Sequence, residues 1–357
     1  MSVAVAILFA FLIFSVLIFI HEFGHFIAAK LSGVQVNEFS IFMGPAIVKW
    51  QRGETQYSIR CIPIGGYCAM EGENEDTDNP RSFQKAAWWK RLIILIAGSA
   101  MNFLAGLIIF AALFLPGKEI VKPQIVEFTD CCIFNHSEGL QEGDIFYKLD
   151  GERIYANGDV GMILDLNPVV EHDVTVLRGG EKLTFENFTM GHTHEDENGQ
   201  TYMHYGFVCG HAEQANFLQK LGYVWNITID NVRNVRLSLQ MLFSGRAGVK
   251  DVAGPVGIVN MMTDVATESD TAGIAILNLL SFGGMIAVNL AVMNLLPIPA
   301  LDGGRVVGLL LTTVIEAIIK RKLDPKYEGY IHAAGMILLL VLMALILFKD
   351  VFFIFKG

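Results

Sequence analysis

Residues 2–30 of the chain read SVAVAILFAFLIFSVLIFIHEFGHFIAAK. Residues 2–20 carry no charge, and a helix that spans a bilayer needs about 20 apolar residues. No basic residue except histidine precedes Lys30. A cleaved signal peptide would need a basic start and a shorter apolar core. We therefore predict a retained transmembrane helix that carries the segment HEFGH.

The rest of the chain is also rich in apolar residues. Of its 357 residues, 53% are hydrophobic and only 17% are charged, and the mean hydropathy is +0.46. These values are far from those of an average soluble protein. We predict a polytopic α-helical membrane protein with four transmembrane helices, which span residues of about 2–30, 92–115, 272–298 and 331–354. The membrane core then has two halves, residues 1–118 and 271–357.

The charges predict how the chain lies in the membrane. Residues 119–270 hold 23 acidic and 10 basic residues, whereas the loops 31–91 and 302–330 are rich in Lys and Arg. Short basic loops stay in the cytoplasm. We expect both termini and the acidic middle section to lie outside the cytoplasm. A disulfide from Cys131 or Cys132 to Cys209 is possible there.

Two segments have the patterns of β-structure. Residues 36–70 contain alternating stretches such as QYSIRCI at 56–62, which predict a β-segment on the cytoplasmic side of the membrane. Residues 122–210 contain SEGLQEGDI at 137–145, LDGE at 149–152 and VTVLRGGE at 174–181. This order resembles a PDZ domain, a fold that binds extended peptides at a sheet edge. The alternative is a small β-domain without a ligand.

Residues 212–270 follow as a connector. Apolar residues recur near a period of 3.6 across residues 215–243, which predicts an amphipathic helix. Such a helix could pack on the PDZ-like domain or lie on the membrane surface.

The segment HEFGH at 21–25 fits the pattern H-E-x-x-H. On a helix, His21 and His25 share one face, so both imidazoles can bind one metal ion, and Glu22 can take a proton from water that the metal activates. His21 lies nine residues before Lys30, or about 13 Å deeper if Lys30 marks the cytoplasmic surface. Ionisable groups at such depth are costly and usually functional. The alternative is a polar cluster that only holds helices together.

A catalytic zinc usually has three protein ligands and one open position. Asp302, in NLLPIPALDGGR at 294–305, is the best candidate for the third ligand, because two prolines break the apolar run just before it. On its own, Asp302 would more often be a helix-end residue at the membrane interface. His332 is interpreted as an interfacial or packing residue rather than as a ligand.

Five motifs in this order resemble the site-2 protease family of intramembrane zinc proteases, in its bacterial RseP-type branch: HEFGH, PIGGY at 63–67, GSAMN at 98–102, the PDZ-like insertion and NLLPIPALDGG. The resemblance implies that His21, His25 and Asp302 bind one catalytic Zn²⁺ and that Glu22 is the general base. It also implies that the β-segment pairs with an unwound substrate helix and that Asn294 contacts the substrate backbone. Asn102 could contact substrate as well, although hydrogen bonding between helices is an equal alternative for Asn102 and Asn289.

We expect a zinc metalloendopeptidase that cleaves the transmembrane segments of single-span membrane proteins. Anti-sigma factors, remnant signal peptides and small membrane proteins are the candidate substrates that the resemblance implies. Membrane lipid and a peptide or ectodomain at the PDZ-like domain are the other expected partners, and no nucleic acid is expected. An inactive relative that only binds membrane proteins would not need Glu22. A divalent-metal transporter would carry acidic residues or histidines in several spans, whereas here they collect at one site.

Overall fold

The computed structural model describes residues 2–73, 75, 77–129, 139–195, 201–246, 248, 253–321 and 326–356. Cys131 and Cys132, the predicted disulfide partners of Cys209, lie outside these residues. The chain divides into two compact units, Met1–Phe110 together with Asn234–Gly357, and Ala111–Arg233.

The described residues form eight α-helices, one short 3₁₀ helix (Phe83–Lys85) and ten strands. The helices are α1 (Val3–Ser32), α2 (Trp88–Phe114), α3 (Gly158–Leu166), α4 (Phe217–Phe243), α5 (Pro255–Glu268), α6 (Ala272–Asn294), α7 (Asp302–Ile319) and α8 (Lys326–Lys356). The strands are β1 (Val36–Arg52), β2 (Thr55–Met70), β3 (Glu119–Phe128), β4 (Ile145–Leu149), β5 (Glu152–Arg153), β6 (Glu171–Arg178), β7 (Glu181–Thr189), β8 (His192–Glu195), β9 (Thr201–His204) and β10 (Phe207–Gln214).

Four helical segments among the described residues are long and apolar enough to cross a membrane, which is the number that the sequence predicts. They are Val3–Ser32, Trp88–Phe114, Ala272–Asn294 and Gly329–Asp350. The first two approach each other closely, because a Cβ atom on Gly24 would lie 2.5 Å from the carbonyl oxygen of Ala97. Small residues allow such close contact between membrane helices. This contact lies one residue from His25.

The long strands β1 and β2 form a folded hairpin. Residues 38–41 of β1 pair on one side with residues 66–69 of β2 and on the other side with residues 56–59. The hairpin packs on the second half of α1, where Phe39 and Tyr57 contact Phe26. Among the described residues, no strand pairs with the outer side of the segment 66–69. The hairpin therefore offers one open edge close to α1.

The first half of α1 packs against α5 and α6. Its small residues Ala6 and Ala10 are fully buried in a cluster that includes Met262 of α5 and Leu279 of α6. The carboxylate of Asp350, near the end of α8, accepts a hydrogen bond from the backbone N–H of Gly257 in the first turn of α5, at 3.0 Å. A carboxylate at a helix N-terminus satisfies backbone donors that would otherwise lack partners.

The chain leaves α6 after Asn294 and turns within the segment that holds both prolines, as the sequence predicts. It then forms α7, in a region that the sequence analysis treats as part of the last basic loop. Glu316 is the only charged residue between 306 and 319, and the three leucines at 309–311 favour a helix there. Because Arg305 and Lys320 lie at its two ends, the sequence predicts a basic loop here and not a helix.

The second unit is built on an antiparallel sheet with the strand order β10-β3-β4-β6-β7, in which β5 pairs with β4. The Gly-Asp turn before β4 is fixed by charge. Asp144 is fully buried, and its carboxylate accepts hydrogen bonds from the Nε and Nη2 atoms of Arg178, both at 2.7 Å. The two turn motifs that suggested a PDZ domain are thereby joined to each other.

Helix α4 contributes to this second unit through its first part. Arg233 is buried, and its guanidinium lies 2.9 Å from Asp159 at the start of α3 and also pairs with Asp230 of its own helix. Its Nη1 atom donates to the carbonyl oxygen of Arg153. Of the two placements that the sequence left open for this helix, the contacts up to Arg233 favour packing on the β-rich unit.

Candidate metal centre

Three side chains predicted as metal ligands meet at one point in the first unit. The Nε2 atoms of His21 and His25 lie 3.1 and 3.2 Å from the Oδ2 atom of Asp302 and 3.2 Å from each other. The two histidines come from successive turns of α1, and Asp302 is the first residue of α7. Residues that are 277 positions apart in the sequence are thus brought within bonding distance of one ion.

The ring of His25 is oriented from α2. Its Nδ1 atom lies 2.8 Å from the carbonyl oxygen of Ile94. A carbonyl can only accept, so Nδ1 must donate, and the lone pair of this neutral imidazole is then on Nε2. Hydrogen bonds of this kind commonly fix the tautomer of a metal-binding histidine.

The ring of His21 is oriented from the same helix. The side-chain amide of Asn102 lies 3.3 Å from Nδ1 of His21, and its oxygen is buried with no hydrogen-bond partner among the described residues. A rotation of ~180° about the last side-chain bond exchanges the oxygen and nitrogen of an asparagine amide. The two atoms are therefore assigned from their hydrogen-bond partners. With the oxygen toward His21, Nδ1 donates and the Nε2 lone pair points at Asp302. Of the roles considered for Asn102, this contact favours a hydrogen bond between helices.

Three lone pairs therefore converge on one small space. Oδ2 of Asp302 is buried and receives no hydrogen bond from any described residue. Lone pairs at this separation repel one another unless a cation lies between them. A tetrahedral zinc with bonds of about 2.0–2.1 Å holds neighbouring ligand atoms about 3.3 Å apart. The donor set and its spacing fit zinc, and three ligands leave the fourth position open.

The loop that carries Asp302 folds back on the start of α7. A Cβ atom on Gly303 would overlap the carbonyl oxygen of Leu295, and one on Gly304 would overlap that of Ile298. Only glycine fits at either position without moving the loop. The two glycines after Asp302 thus allow the loop that follows α6 to fold tightly and to carry this carboxylate toward α1.

A charge pair ties the same helix to the hairpin. Arg305, one turn after Asp302, forms an ion pair with Glu73, which follows β2. The backbone carbonyl of Glu73 also accepts a hydrogen bond from Gln84 at 3.2 Å. No local pattern indicates this pair, because its members lie 232 residues apart in surroundings of mixed charge.

Glu22 lies where β2 approaches α1. A Cβ atom on Gly66 would lie 3.3 Å from Cγ of Glu22 and 3.0 Å from the carbonyl oxygen of Ser40. The absence of a side chain on Gly66 therefore brings the open edge of the hairpin to the predicted base. Asn294 is the last residue of α6, at the start of the loop that leads to Asp302, and it is partly exposed.

Charges within the hairpin are paired. The carboxylate of Glu38 accepts hydrogen bonds from Arg60 and Ser58, each at 2.7 Å. Burial acts to raise the pKa of Glu38, but these hydrogen bonds outweigh it and lower the pKa to about 2. Glu38 is therefore ionised at neutral pH, and its role is to stabilise the hairpin rather than to transfer protons.

Two comparisons with known proteins bear on this centre. A model of peptidase family M50 matches residues 9–342, a range that includes all three converging side chains. A protein named as a zinc metalloprotease in Clostridium perfringens is 35% identical over 97% of this chain and 98% of its own length, and one in Clostridium acetobutylicum is 33% identical over 97% of both chains. The regulator of sigma-W protease RasP of Bacillus subtilis is 26% identical over 95% of this chain and 96% of its own length.

Proposed function

The chain belongs to peptidase family M50, the site-2 protease family of zinc metalloproteases, and from this premise we propose that it cleaves single-span membrane proteins inside the bilayer. His21, His25 and Asp302 are the proposed zinc ligands, and Glu22 is the proposed general base. The observation that carries the proposal is the convergence of three buried lone pairs on one point beside Glu22.

The proposed chemistry is hydrolysis of a peptide bond. Zinc, when bound, acts as a Lewis acid toward the scissile carbonyl and makes water nucleophilic at neutral pH. The carboxylate of Glu22 accepts a proton from the attacking water and delivers it to the leaving amide nitrogen. The hydrogen bonds from His25 to Ile94 and from His21 to Asn102 hold the imidazoles so that their Nε2 lone pairs face the metal.

Cleavage requires an extended substrate, because a transmembrane helix hides its scissile amides in internal hydrogen bonds. We propose that the open edge of the hairpin at residues 66–69 pairs with the unwound segment, as in β-strand addition. The approach of Gly66 to Glu22 supports this, since a strand on that edge would lie beside the base. Asn294, at the start of the loop that leads to Asp302, is a proposed partner for the freed backbone amides.

The surroundings of the site support the proposed substrate class. An apolar cavity of about 420 Å³ is lined by α1, α2 and α6, and its lining includes Ile20 and Met101, the residues before His21 and Asn102. An apolar segment of a membrane protein could approach by this route without exposing charge to lipid. The name of the relative RasP, regulator of sigma-W protease, supports a regulatory membrane protein, such as an anti-sigma factor, as the substrate.

The β-rich unit Ala111–Arg233 is proposed as a PDZ-like domain outside the cytoplasm that contacts peptides or ectodomains of substrates. The strand order leaves β10 and β7 as its edges, which supports strand addition there. By the distribution of basic residues, both termini also lie outside and the metal centre opens toward the cytoplasmic side of a bacterial plasma membrane.

The proposal is tested by purifying the protein, reconstituting it in lipid vesicles and adding a labelled single-span peptide. Wild-type protein should cleave the peptide, Glu22→Gln should bind zinc but not cleave, and zinc should restore the activity of chelated wild-type protein. Cleavage that survives complete removal of zinc would rule out the metalloprotease mechanism. Zinc transport across the vesicle membrane without cleavage would favour the transporter class instead.

A further inference from the structure

The loop before Asp302 contains a backbone conformation that its sequence does not favour. Ala300 has a φ of +79°. A residue with a Cβ atom seldom adopts this left-handed region, because the Cβ crowds the backbone carbonyl. Ala300 lies two residues before Asp302, so its conformation sets the direction in which the chain enters α7.

A contact from α8 holds this conformation. The Nδ1 atom of His332 lies 3.2 Å from the backbone nitrogen of Ala300. The Ala300 N–H can only donate, so Nδ1 is the acceptor and His332 carries its proton on Nε2. His332 is half-buried, whereas its neighbours Ile331 and Ala333 are exposed.

The fit between α8 and the loop is close. A Cβ atom on Gly335, which is buried one turn after His332, would overlap Pro299. On the other side, the loop carbonyls of Leu295 and Ile298 lie against Gly303 and Gly304. The loop is thus enclosed between α8 and the start of α7, and a shift of Ala300 would move Asp302.

We propose that His332 is a positioning residue of the metal centre: by accepting the hydrogen bond of Ala300, it keeps the loop in the left-handed turn that directs Asp302 at His21 and His25. The inference rests on the proposed metal centre. It assigns a role to a histidine that binds no metal itself and comes from the last predicted span.

The test is the dissociation constant for zinc, measured on the purified full chain by competition with a chromogenic chelator. His332→Phe removes the acceptor and should raise the constant about 10-fold or more, the size of effect typical of residues that orient metal ligands. His332→Asn places an amide oxygen near the position of Nδ1 and should stay within about threefold of wild type. His211→Phe, which removes an exposed histidine of β10, is the matched control and should change nothing.

A second substitution links the effect to the turn. Ala300→Gly adopts the left-handed conformation without strain, so the penalty of His332→Phe should shrink in that background. An unchanged penalty, or equal constants for His332→Phe and wild type, would overturn the proposal. If His332→Phe does not fold, His332→Gln replaces it, because the glutamine oxygen reaches the position of Nε2 and not that of Nδ1. Equal zinc dissociation constants for His332→Gln and His332→Asn would also refute the proposal. Zinc binding that Asp302→Ala leaves intact would instead refute the metal centre, and this inference with it.

Discussion

Gly98 and His25 face each other where α2 crosses α1, and the space between them has no room for a side chain. A Cβ atom on residue 98 would overlap Nε2 of His25 and would lie 2.8 Å from Cε1 of His21. The glycine of the GSAMN motif therefore borders the metal centre itself. The motif alone does not predict this contact with the histidines.

Gly98→Ala should weaken zinc binding strongly while the helices still form. The added methyl group would displace the His25 ring from Asp302, and overpacking at a tight contact costs about 1–3 kcal/mol. We expect the dissociation constant for zinc to rise about 10- to 100-fold, measured by chelator competition. Gly273→Ala in α6 is the control, since its Cβ would meet only one atom, at 4.0 Å. Normal zinc binding by Gly98→Ala would show that the two helices lie farther apart than described.

Substitution of Asn102 distinguishes between its two predicted roles. If it orients His21, Asn102→Leu should weaken zinc binding about 10- to 100-fold, and Asn102→Asp, which keeps an acceptor for Nδ1–H, should restore most of it. If Asn102 instead contacts substrate, Asn102→Leu should raise KM and leave the zinc constant unchanged. Asn278→Leu serves as the control, because Asn278 is an exposed residue in the first half of α6.

A carboxylate outside the membrane spans gives a prediction for pH. Glu54, between β1 and β2, accepts two hydrogen bonds from Arg81 at 2.5 and 2.9 Å and one from Lys30 at 2.6 Å. Hydrogen bonds from Arg81 and then Lys30 lower the pKa of Glu54 from 4.5 to about 2. The folded-state pKa lies below the unfolded value, so these bonds stabilise the fold above pH 4.5 and the gain is lost as the pH falls toward 2.

Thermal unfolding in detergent should therefore show a difference between wild type and Glu54→Gln that is present at pH 7 and shrinks below pH 4.5. For a partly exposed pair the difference should be about 1 kcal/mol or less, and salt should reduce it. Glu75→Gln, at an exposed position in the same region, is the control. A difference that grows as the pH falls would contradict the assignment.

The sequence predicts those residues of the site that belong to short local motifs. His21 and His25 stand on one helical face, Glu22 is next to His21 in the sequence, and Asp302 follows a break that two prolines enforce. Such signals survive in a single sequence because helix periodicity and proline geometry are local.

The rest depends on contacts between distant segments. The acceptor for His25 is the backbone carbonyl of Ile94, which no side-chain pattern can reveal. The left-handed turn at Ala300 could not be predicted from the sequence, because glycine or asparagine normally occupies this conformation. Its partner His332 lies 32 residues away, in what the sequence indicates to be an ordinary apolar span.

The central claim, hydrolysis within the bilayer by this metal centre, is tested most directly by locating the cleaved bond. A single-span peptide is incubated with reconstituted wild-type protein, and the products are identified by mass spectrometry. We predict one main cut inside the apolar segment, toward its cytoplasmic end, and no cut by zinc-loaded Glu22→Gln. Cuts confined to the polar flanks of the peptide, or the same cut made by Glu22→Gln, would contradict the account.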